Sequence, residues 1–396
     1  MLARNTRMKV AMIVDFYPPE ILGGPELHAA LVSDRLRARG HSVTVLANGL
    51  GRPKEEPGVY RIFRPYFHPY KQGARLSILE KASCDISTYL RARALLRRLH
   101  PDVALVQLGR YTSFRAATAV LSLGIPSIFF AHDHWLAQKK WDCDKGGVLG
   151  RLRAILIYRS FAFDTVVCPS GTFLQRFSDA GFSKSKLLLI RNGVDTTLFA
   201  PSGAAGPEEH PQILFVGGLY RNKGVHLAVH ALHELASAGF PDCQLTIVGE
   251  GELEYVQFLR GEKDRLALGD RVHFAGRVAH EELPKLFRRA SVVVLPSYSE
   301  NCPLVALEAM GCGRPVVASR VGGLCEIIDD GVDGILVPPD DAPALAQGIR
   351  RLLLAPSEAK RMGALARGKI VQHFSLDRFI DDLENILRRA AYSKEE

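Results

Sequence analysis

Residues 291–318 read SVVVLPSYSENCPLVALEAMGCGRPVVA, and the order of elements in this stretch decides the fold. An apolar strand, SVVVL, is followed by a polar loop and then by a short helix whose first turn accommodates Pro303. Proline fits there because its missing N–H would have no partner in the first turn. A strand, a loop and a helix in this order place a ligand at the carboxyl edge of a parallel sheet.

Two carboxylates, Glu300 and Glu308, flank the start of this helix. The N–H groups of Leu304 and Val305 would have no partner within the helix, so they would face the loop as an anion site requires. Carboxylates accept hydrogen bonds from pairs of hydroxyls, on a ribose or on a transferred sugar. The pattern therefore indicates a site for a sugar nucleotide. The alternative is a helix with one surface glutamate and one capping glutamate.

The rest of the chain alternates short β-branched runs with helical patterns, which predicts an α/β protein with parallel sheets covered on both faces. Residues 202–211, SGAAGPEEHP, have little to bury and are the predicted linker. We expect two doubly wound, Rossmann-like domains of similar size that face each other across a cleft. The predicted strands are residues 9–14, 42–46, 103–107, 127–131 and 165–168 before the linker and residues 213–216, 244–248, 271–274, 291–295 and 315–318 after it.

Composition narrows the class of protein. The formal net charge of +9 favours anionic partners, such as nucleotide phosphates or lipid headgroups, but no nucleic-acid motif is present. No apolar run approaches the roughly 18 residues of a membrane-spanning helix, and the first residues are expected to form a strand rather than a signal peptide. Seven cysteines without a Cys-x-x-Cys pair argue against a disulfide framework and indicate a reducing cytoplasm.

Basic residues are concentrated in the first half of the chain, on two predicted helices. A basic amphipathic helix lies on an anionic membrane surface in some proteins, although a solvated helix face is the commoner reason for such a pattern. Peripheral contact with the inner face of the plasma membrane is therefore one expectation, and two solvated helices are the other. The residues concerned are Arg91, Arg93, Arg97 and Arg98 on one helix and Arg151, Arg153 and Arg159 on the other.

The stretch around Glu300 and Glu308 resembles the E-x7-E signature of the group 1 (family 4) retaining glycosyltransferases, which have the GT-B fold. The resemblance extends from Met8 to about residue 390 and departs where the usual Gly-x-Gly is replaced by Asn301-Cys302-Pro303. It implies an acceptor-binding domain at residues 1–205 and a donor-binding domain at residues 206–375. It also implies that the last helix, at about residues 376–396, returns to the first domain.

Residues 215–224, FVGGLYRNKG, follow a predicted strand and open a predicted helix. A lysine at such a turn points at anions beside the helix start. The stretch resembles the family's G-R-L-x-x-x-K-G segment, which holds the donor diphosphate, and Lys223 matches its lysine. Gly218 occupies the position of the usual arginine, and Arg221 is the candidate to substitute for it. A solvated lysine in a turn is the alternative.

Two motifs in the first half resemble the family's acceptor and sugar sites. Gly23 and Gly24 resemble the family's Gly-Gly loop, which closes over the donor and helps form the acceptor site. Paired glycines let the backbone approach a phosphate closely, because no Cβ atom lies in the way. A simple turn explains this pair equally well. His132 ends a strand and resembles the active-site histidine that contacts the transferred sugar; a structural histidine is the alternative. A metal site formed by His132, Asp133 and His134 is disfavoured because adjacent residues rarely share one ion.

Smaller motifs complete the resemblance. Arg277 and Val278 follow a strand and, by resemblance, place backbone groups against the nucleotide base. Asp142 and Asp144 match a D-x-D metal motif, but three lysines nearby would repel a cation, so no metal is expected. Gly249 and Gly251 lack the third glycine of a dinucleotide fingerprint, so NAD binding is not expected. Further matches are Asn192-Gly193-Val194-Asp195, Gly322-Gly323 and Glu326.

The resemblance implies a metal-independent hexosyltransferase that retains the anomeric configuration. It has no cofactor, and its donor substrate is a nucleotide diphosphate sugar, UDP- or GDP-linked. The catalytic residues would be His132, Lys223 and Glu300, and the acceptor a saccharide or a lipid-linked saccharide in cell-surface polysaccharide or glycolipid synthesis. Alternatives are a sugar-nucleotide-binding partner protein without strong catalysis, a nucleotide-sugar epimerase, and a relative of glycogen phosphorylase.

Overall fold

The computed structural model describes residues 7–20, 23–50, 56–66, 77–109, 111–132, 163–201 and 210–392. The chain divides into two compact units, Met1–Ile190 with Ile380–Glu396, and Arg191–Phe379. The division falls before the residue 205 expected from the sequence, because residues 191–201 are bonded to the second unit. Asn192 Nδ2 donates to the Cys302 carbonyl, and Arg367 donates to the carbonyls of Thr196 and Phe199. Residues 202–209 of the predicted linker lie outside the described residues.

The first unit contains a parallel sheet in the order β3-β2-β1-β4-β5-β6-β7. Its strands are β1 Lys9–Val14, β2 Ser42–Asn48, β3 Val59–Phe63, β4 Val103–Gln107, β5 Ser127–Phe130, β6 Thr165–Cys168 and β7 Leu187–Leu189. Its described helices are α1 Gly24–Ala38, α2 Ile78–Leu99, α3 Arg115–Ser122 and α4 Gly171–Asp179, with a 3-10 turn at Lys184–Lys186.

The second unit contains a parallel sheet in the order β10-β9-β8-β11-β12-β13. Its strands are β8 Gln212–Val216, β9 Gln244–Val248, β10 Val272–Gly276, β11 Val292–Leu295, β12 Val316–Ser319 and β13 Ile335–Val337. Its helices are α5 Val225–Ser237, α6 Leu253–Arg265, α7 Leu283–Arg289, α8 Leu304–Gly311, α9 Leu324–Ile327, α10 Ala342–Leu354 and α11 Pro356–His373, with 3-10 turns at Arg221–Lys223, Gly269–Arg271 and His280–Glu282. The last helix, α12 Leu376–Tyr392, begins in this unit and ends in the first.

Alternating side chains of each strand in the second unit enter two separate cores. Ile213 and Phe215 of β8 pack with α5, α6 and α10, whereas Leu214 and Val216 pack with α7, α8 and α11. Both faces of the sheet are therefore buried, which is why its strands read as continuous apolar runs. The predicted α/β class with two doubly wound domains is confirmed at this level.

In both sheets the strand order reverses next to the first strand of the unit. The reversal lies between β1 and β4 in the first unit and between β8 and β11 in the second. Loops that leave the carboxyl ends of such a pair of strands diverge and leave a crevice, where ligands of open α/β sheets bind. In the second unit these loops are the ones that carry Lys223 and Glu300.

The sequence prediction missed three strands, β3, β7 and β13, for identifiable reasons. β3 contains Arg61, whose buried guanidinium donates to the carbonyls of Tyr17 and Pro18, so a charge interrupts its apolar pattern. β7 and β13 have three residues each, too few to show a period. In the described part of the chain, no helix is long and apolar enough to cross a membrane.

Candidate functional site

The loop after β8 presents Lys223 beside the end of β11. Residues Arg221–Lys223 form a 3-10 turn, and Gly224 then takes a left-handed conformation with φ of 62° before α5 begins. A Cβ atom on Gly224 would lie 2.0 Å from the Pro296 carbonyl oxygen, so only glycine permits this approach. The close approach places the loop after β8 against the loop after β11.

Lys223 and Glu300 are in direct contact. Lys223 Nζ lies 2.7 Å from Glu300 Oε1, and the same oxygen accepts a hydrogen bond of 2.7 Å from Ser297 Oγ. Ser297 is buried and the Glu300 side chain is 9% exposed, whereas the Lys223 side chain is 29% exposed. The carboxylate is therefore fixed by two donors, and the ammonium keeps access to solvent.

The backbone of Glu300 is fixed by the loop after β12. The Gly323 amide donates to the Glu300 carbonyl at 3.0 Å, and Gly322 lies so close that a Cβ atom would be 2.1 Å from that oxygen. The predicted turn Gly322-Gly323 thus supports Glu300 directly. Two residues further, Cys325 is exposed, and Glu326 lies 3.5 Å from Arg191.

The helix that follows Glu300 begins at Leu304, and Pro303 is the residue before it rather than part of its first turn. Its position still suits proline, because the Pro303 carbonyl accepts from Ala306 at 3.1 Å while no N–H is needed. Among the described residues, the amides of Leu304 and Val305 have no hydrogen-bond acceptor. They are the two unpaired donors that an anion at this helix start requires.

Glu308 lies in the middle of α8 and is 3% exposed. Its Oε1 atom is 2.8 Å from His280 Nε2, in the turn that follows β10. Glu308 thus has a different partner from Glu300, and no sequence motif indicates this histidine. Nearby, Arg277 is exposed, and Val278 packs partly buried against the core that contains α8.

Gly218, at the position of the family's arginine, and Arg221, its candidate substitute, both lie against aromatic rings. A Cβ atom on Gly218 would lie 2.5 Å from the Tyr220 ring, so that ring occupies the space of a side chain at position 218. The Arg221 guanidinium lies over the rings of Tyr255 and Phe258 of α6, at 5.8 and 5.1 Å from their centroids. In this conformation Arg221 is held by cation–π contacts.

Gly249 and Gly251 allow the loop after β9 to cross the loop after β8. A Cβ atom on either residue would lie about 2 Å from a backbone oxygen, that of Gly217 or Leu219. The Leu219 amide donates to the Glu250 carbonyl, and Leu219 and Gly251 form an isolated bridge. These glycines therefore have a packing role in this unit.

In the first unit, His132 follows β5 and its ring is enclosed by aromatic and polar neighbours. Its Nε2 lies 2.9 Å from Gln107 Oε1 of β4, and its ring meets the His28 ring edge-on at 5.0 Å. Burial, together with the neighbouring His28, lowers the pKa of His132 well below its ordinary 6.5. Burial also lowers the pKa of His28 to about 4, although a hydrogen bond with Gln107 acts in the opposite direction. Both rings are neutral near pH 7 and act through hydrogen bonds rather than charge.

Gly23 and Gly24 are exposed at the start of α1. The Gly23 amide donates to Glu26 Oε2 at 2.9 Å, which satisfies one of the donors at this helix end. The loop conformation thus agrees with the turn that was the alternative reading, and the predicted contact with a donor stays a prediction.

Several predicted residues lie outside the described part of the chain. They are Asp133, His134, Asp142, Asp144, Arg151, Arg153 and Arg159. Among the residues that are described, no group of three or more His, Cys, Asp or Glu side chains is arranged to hold a metal ion.

The second unit therefore offers a solvent-accessible ammonium, two unpaired amides at a helix start, and two carboxylates fixed by separate donors. Such a set can bind an anion through the positive groups and hydroxyls through the carboxylates. Sequence reasoning located Lys223, Glu300 and Glu308 but missed Ser297 and His280. Ser297 stands three residues before Glu300 in a loop, a spacing that indicates local hydrogen bonding; His280 carries no comparable signal.

Both halves of the chain match families of known proteins. Residues 201–369 match the family model of glycosyl transferases group 1, and residues 22–198 match that of glycosyltransferase family 4. Glycogen synthase of Mycobacterium tuberculosis is 28% identical over 93% of this chain and 91% of that protein.

Solved structures resemble the whole chain as well. Sucrose-phosphate synthase from Thermosynechococcus elongatus has a TM-score of 0.79 at 24% identity and covers 97% of this chain and 99% of its own. Anabaena HepE in complex with UDP has a TM-score of 0.73 at 21% identity and covers 96% of this chain and 100% of its own. At these identities the likeness concerns the fold, which is the predicted pair of Rossmann-like domains.

Proposed function

The chain belongs to the group 1 glycosyltransferases with the GT-B fold, and we propose that it transfers a hexose from a nucleotide diphosphate sugar to an acceptor hydroxyl with retention of configuration. The observation that carries the proposal is the arrangement of Lys223, Glu300 and the α8 amides at the strand-order reversal of the second unit. The proposed acceptor is a saccharide or a lipid-linked saccharide of polysaccharide or glycolipid synthesis.

A nucleoside diphosphate is a leaving group whose oxygens gain negative charge as the sugar departs. Catalysis then depends mainly on donors that are already oriented toward that charge. The Lys223 ammonium and the amides of Leu304 and Val305 would supply such donors, because all three lie beside the same loop and need no metal ion. Glu300, held by Ser297 and Lys223, would position the sugar hydroxyls, and Glu308 would accept from the ribose.

His132 would contact the transferred sugar as a neutral ring. Its low pKa keeps it uncharged near neutral pH. With Gln107 Oε1 as the acceptor, Nε2 carries the hydrogen and Nδ1 is an acceptor, which suits a hydroxyl group better than a phosphate.

The nucleotide is proposed to be UDP or GDP. HepE of Anabaena, one of the proteins of the same fold, was solved with UDP and with UDP-glucose. The glycogen synthase of M. tuberculosis, by its name, forms a polysaccharide. These two relatives support a nucleotide hexose as donor and a saccharide as acceptor.

The decisive experiment measures release of nucleoside diphosphate from UDP- and GDP-hexoses in the presence of saccharide acceptors. Lys223→Met should lower turnover by about 10²-fold or more, the scale of losing one electrostatic donor. Lys285→Met, at a 64% exposed side chain of the same unit, is the matched control and should leave turnover unchanged. Near-normal turnover of the Lys223 variant would reject the phosphate role.

Two further readouts of the same assay test the finer parts of the proposal. NMR of the product should show that the anomeric configuration of the hexose is retained. Inversion would exclude the proposed retaining mechanism. Activity should persist in EDTA; its loss, restored by a divalent cation, would instead implicate the D-x-D residues Asp142 and Asp144.

A second candidate is a sugar-nucleotide-binding protein with weak catalysis. It is favoured by Gly218 at the arginine position and by the cation–π contacts that hold Arg221. A binding protein would be stabilised against heat by UDP- or GDP-hexoses but would release little nucleoside diphosphate. Rapid, acceptor-dependent release with either donor would exclude this candidate.

We also propose that the enzyme works in the cytoplasm and touches the inner face of the plasma membrane through α2. The described cysteines are all free, as in a reducing compartment. Leu79, Ile86 and Leu90 of α2 are 58–83% exposed, and the basic residues Arg91, Arg93, Arg97 and Arg98 follow them on the same helix. The double variant Ile86→Ser/Leu90→Ser should co-sediment less than the wild type with vesicles containing phosphatidylserine. Equal co-sedimentation of the wild type and the double variant would exclude α2 as the membrane-binding surface.

A further inference from the structure

His280 and Glu308 form a hydrogen-bonded pair at the predicted nucleotide site. His280 Nε2 lies 2.8 Å from Glu308 Oε1, and the two side chains are 13% and 4% exposed. Because the partner is a carboxylate, Nε2 is the donor and Oε1 the acceptor. The described residues offer Oε2 of Glu308 no further donor, so one oxygen of the carboxylate is occupied and the other is not.

The His280 ring is itself held in place. It packs against the Phe199 ring with centroids 5.0 Å apart, and Phe199 is fully buried against Phe287 of α7. The Phe199 carbonyl accepts from Arg367 Nη1 at 2.8 Å. The imidazole therefore packs against a buried aromatic ring while its Nε2 contacts a carboxylate.

The position of His280 in the chain connects two parts of the site. The 3-10 turn His280–Glu282 follows β10 and residues 276–278, the segment expected to contact the base. Glu308 belongs to α8, whose start is the expected phosphate site. A single hydrogen bond thus joins the loop on the base side to the helix on the phosphate side.

We propose that His280 is a positioning residue that orients Glu308 and so makes the site selective for ribonucleotides over deoxyribonucleotides. This inference rests on the proposed function, because it assigns a nucleoside diphosphate to the site. By holding Oε1, His280 removes rotation of the carboxylate and directs Oε2 at the ribose hydroxyls. Without that hydrogen bond the carboxylate would turn, and the hydroxyls would lose an oriented acceptor.

The test compares the Kd of a ribonucleoside diphosphate with that of its 2′,3′-dideoxy analogue by calorimetry. UDP and GDP are both titrated first, and the nucleotide with the lower Kd is then compared with its 2′,3′-dideoxy analogue. His280→Ala should weaken binding of the ribonucleotide by about tenfold and leave the dideoxy analogue within about twofold, since one charge-assisted hydrogen bond is lost indirectly. His280→Gln, whose amide also donates, should recover most of the preference.

His233→Ala is the matched control, since His233 is an exposed histidine of α5 in the same unit. It should leave both affinities unchanged. In a Glu308→Gln background, His280→Ala should have little further effect on the ribonucleotide, because two residues that act on one contact are not additive. Additive losses would overturn the proposal.

Other outcomes also overturn the proposal, each for a different reason. Equal weakening of both nucleotides would show that His280 has only a structural role. An unchanged ribose preference in a folded His280→Ala protein would show that Glu308 needs no orienting partner. If His280→Ala does not fold, His280→Phe, which keeps a ring against Phe199 but has no donor, gives the same comparison. Failure of the unmodified protein to bind either UDP or GDP would reject the proposed function itself.

Discussion

At the scale of single residues, the Glu300 carboxylate is fixed by two side-chain donors. Its Oε1 atom accepts from Ser297 Oγ and from Lys223 Nζ, both at 2.7 Å. The lysine would turn toward an arriving diphosphate, and Ser297 would then be the remaining side-chain donor to Oε1. Under the proposed function, Ser297 would therefore keep Glu300 oriented while Lys223 contacts the diphosphate.

Replacing Ser297 with alanine should lower kcat of the glycosyl transfer by about tenfold. The reason is that Glu300 loses an oriented hydrogen bond, while the phosphate donors remain. Folding stability should fall by only about 1 kcal/mol, the net contribution of one hydrogen bond. Steady-state kinetics and urea unfolding measure the two effects.

Ser299→Ala is the control for this prediction, since Ser299 is an exposed serine of the same loop. It should leave kcat unchanged. A Ser297→Ala protein with unaltered kcat would show that Lys223 alone suffices to orient Glu300.

At the scale of elements, the crossing of the loop after β8 and the end of β11 places the Lys223 ammonium. Gly224 makes the crossing possible, since its Cα lies against the Pro296 carbonyl. Gly239, after α5, also has a positive φ, of 97°, but a Cβ atom there would meet nothing within 4 Å. Both glycines have a positive φ, which would strain any residue with a Cβ, but only Gly224 lies in close contact with another part of the chain.

Gly224→Ala and Gly239→Ala should therefore differ strongly in stability. Gly239→Ala should cost about 1 kcal/mol, the strain of a left-handed alanine. Gly224→Ala adds a backbone collision and should cost at least about 3 kcal/mol. Chemical unfolding of both proteins measures the difference; equal losses would mean that the loop yields without cost and that the close approach is not a constraint.

The local order of elements around Glu300 was predictable because the residues that determine it are consecutive in the sequence. An apolar run, a polar loop and Pro303 specify strand β11 and helix α8 with little help from the rest of the chain. The partners of these elements were not predictable in the same way. The hydrogen bond from Asn192 to Cys302 joins residues that are 110 positions apart in the sequence. Only the folded structure shows this contact, which ties residues 191–201 to the second unit. The pair of His280 and Glu308 depends likewise on the positions of β10 and α8 in the fold.

At the scale of the whole molecule, the last helix returns the chain to its first unit. Glu384 of α12 accepts from Arg39 at 2.9 Å and from Arg388 at 2.7 Å, and it lies 3.2 Å from His41. Burial alone would raise the pKa of Glu384, but the donors from Arg39, Arg388 and His41 outweigh it and lower the pKa to about 2. The folded protein therefore favours the charged carboxylate.

Glu384→Gln should lower the free energy of unfolding at pH 7 by roughly 2 kcal/mol. A carboxyl with a lowered pKa stabilises the fold above its ordinary pKa of 4.5, and this stabilisation is lost as the pH falls toward 2. The difference between wild type and variant should therefore shrink between pH 5 and pH 2.5. Urea unfolding at several pH values measures it.

Asp381→Asn removes the other carboxylate that contacts Arg39, at an aspartate whose side chain is 61% exposed. Solvent screens this pair, so its loss should cost less than about 1 kcal/mol. If Glu384→Gln costs no more than this control, the return of the helix is held by its apolar side chains alone. The buried side chains Ile380, Leu383 and Leu387 would then account for it.

The exposure of Cys325 has a practical consequence for following the protein in solution. Among the described cysteines it alone is exposed, and burial raises the pKa of the Cys302 and Cys312 thiols to about 12, which keeps them unreactive. In a Cys143→Ser protein, a maleimide fluorophore would attach at Cys325. Cys325 lies two residues beyond Gly323, whose amide donates to the Glu300 carbonyl. Binding of a donor near Glu300 would then change the fluorescence intensity of the dye.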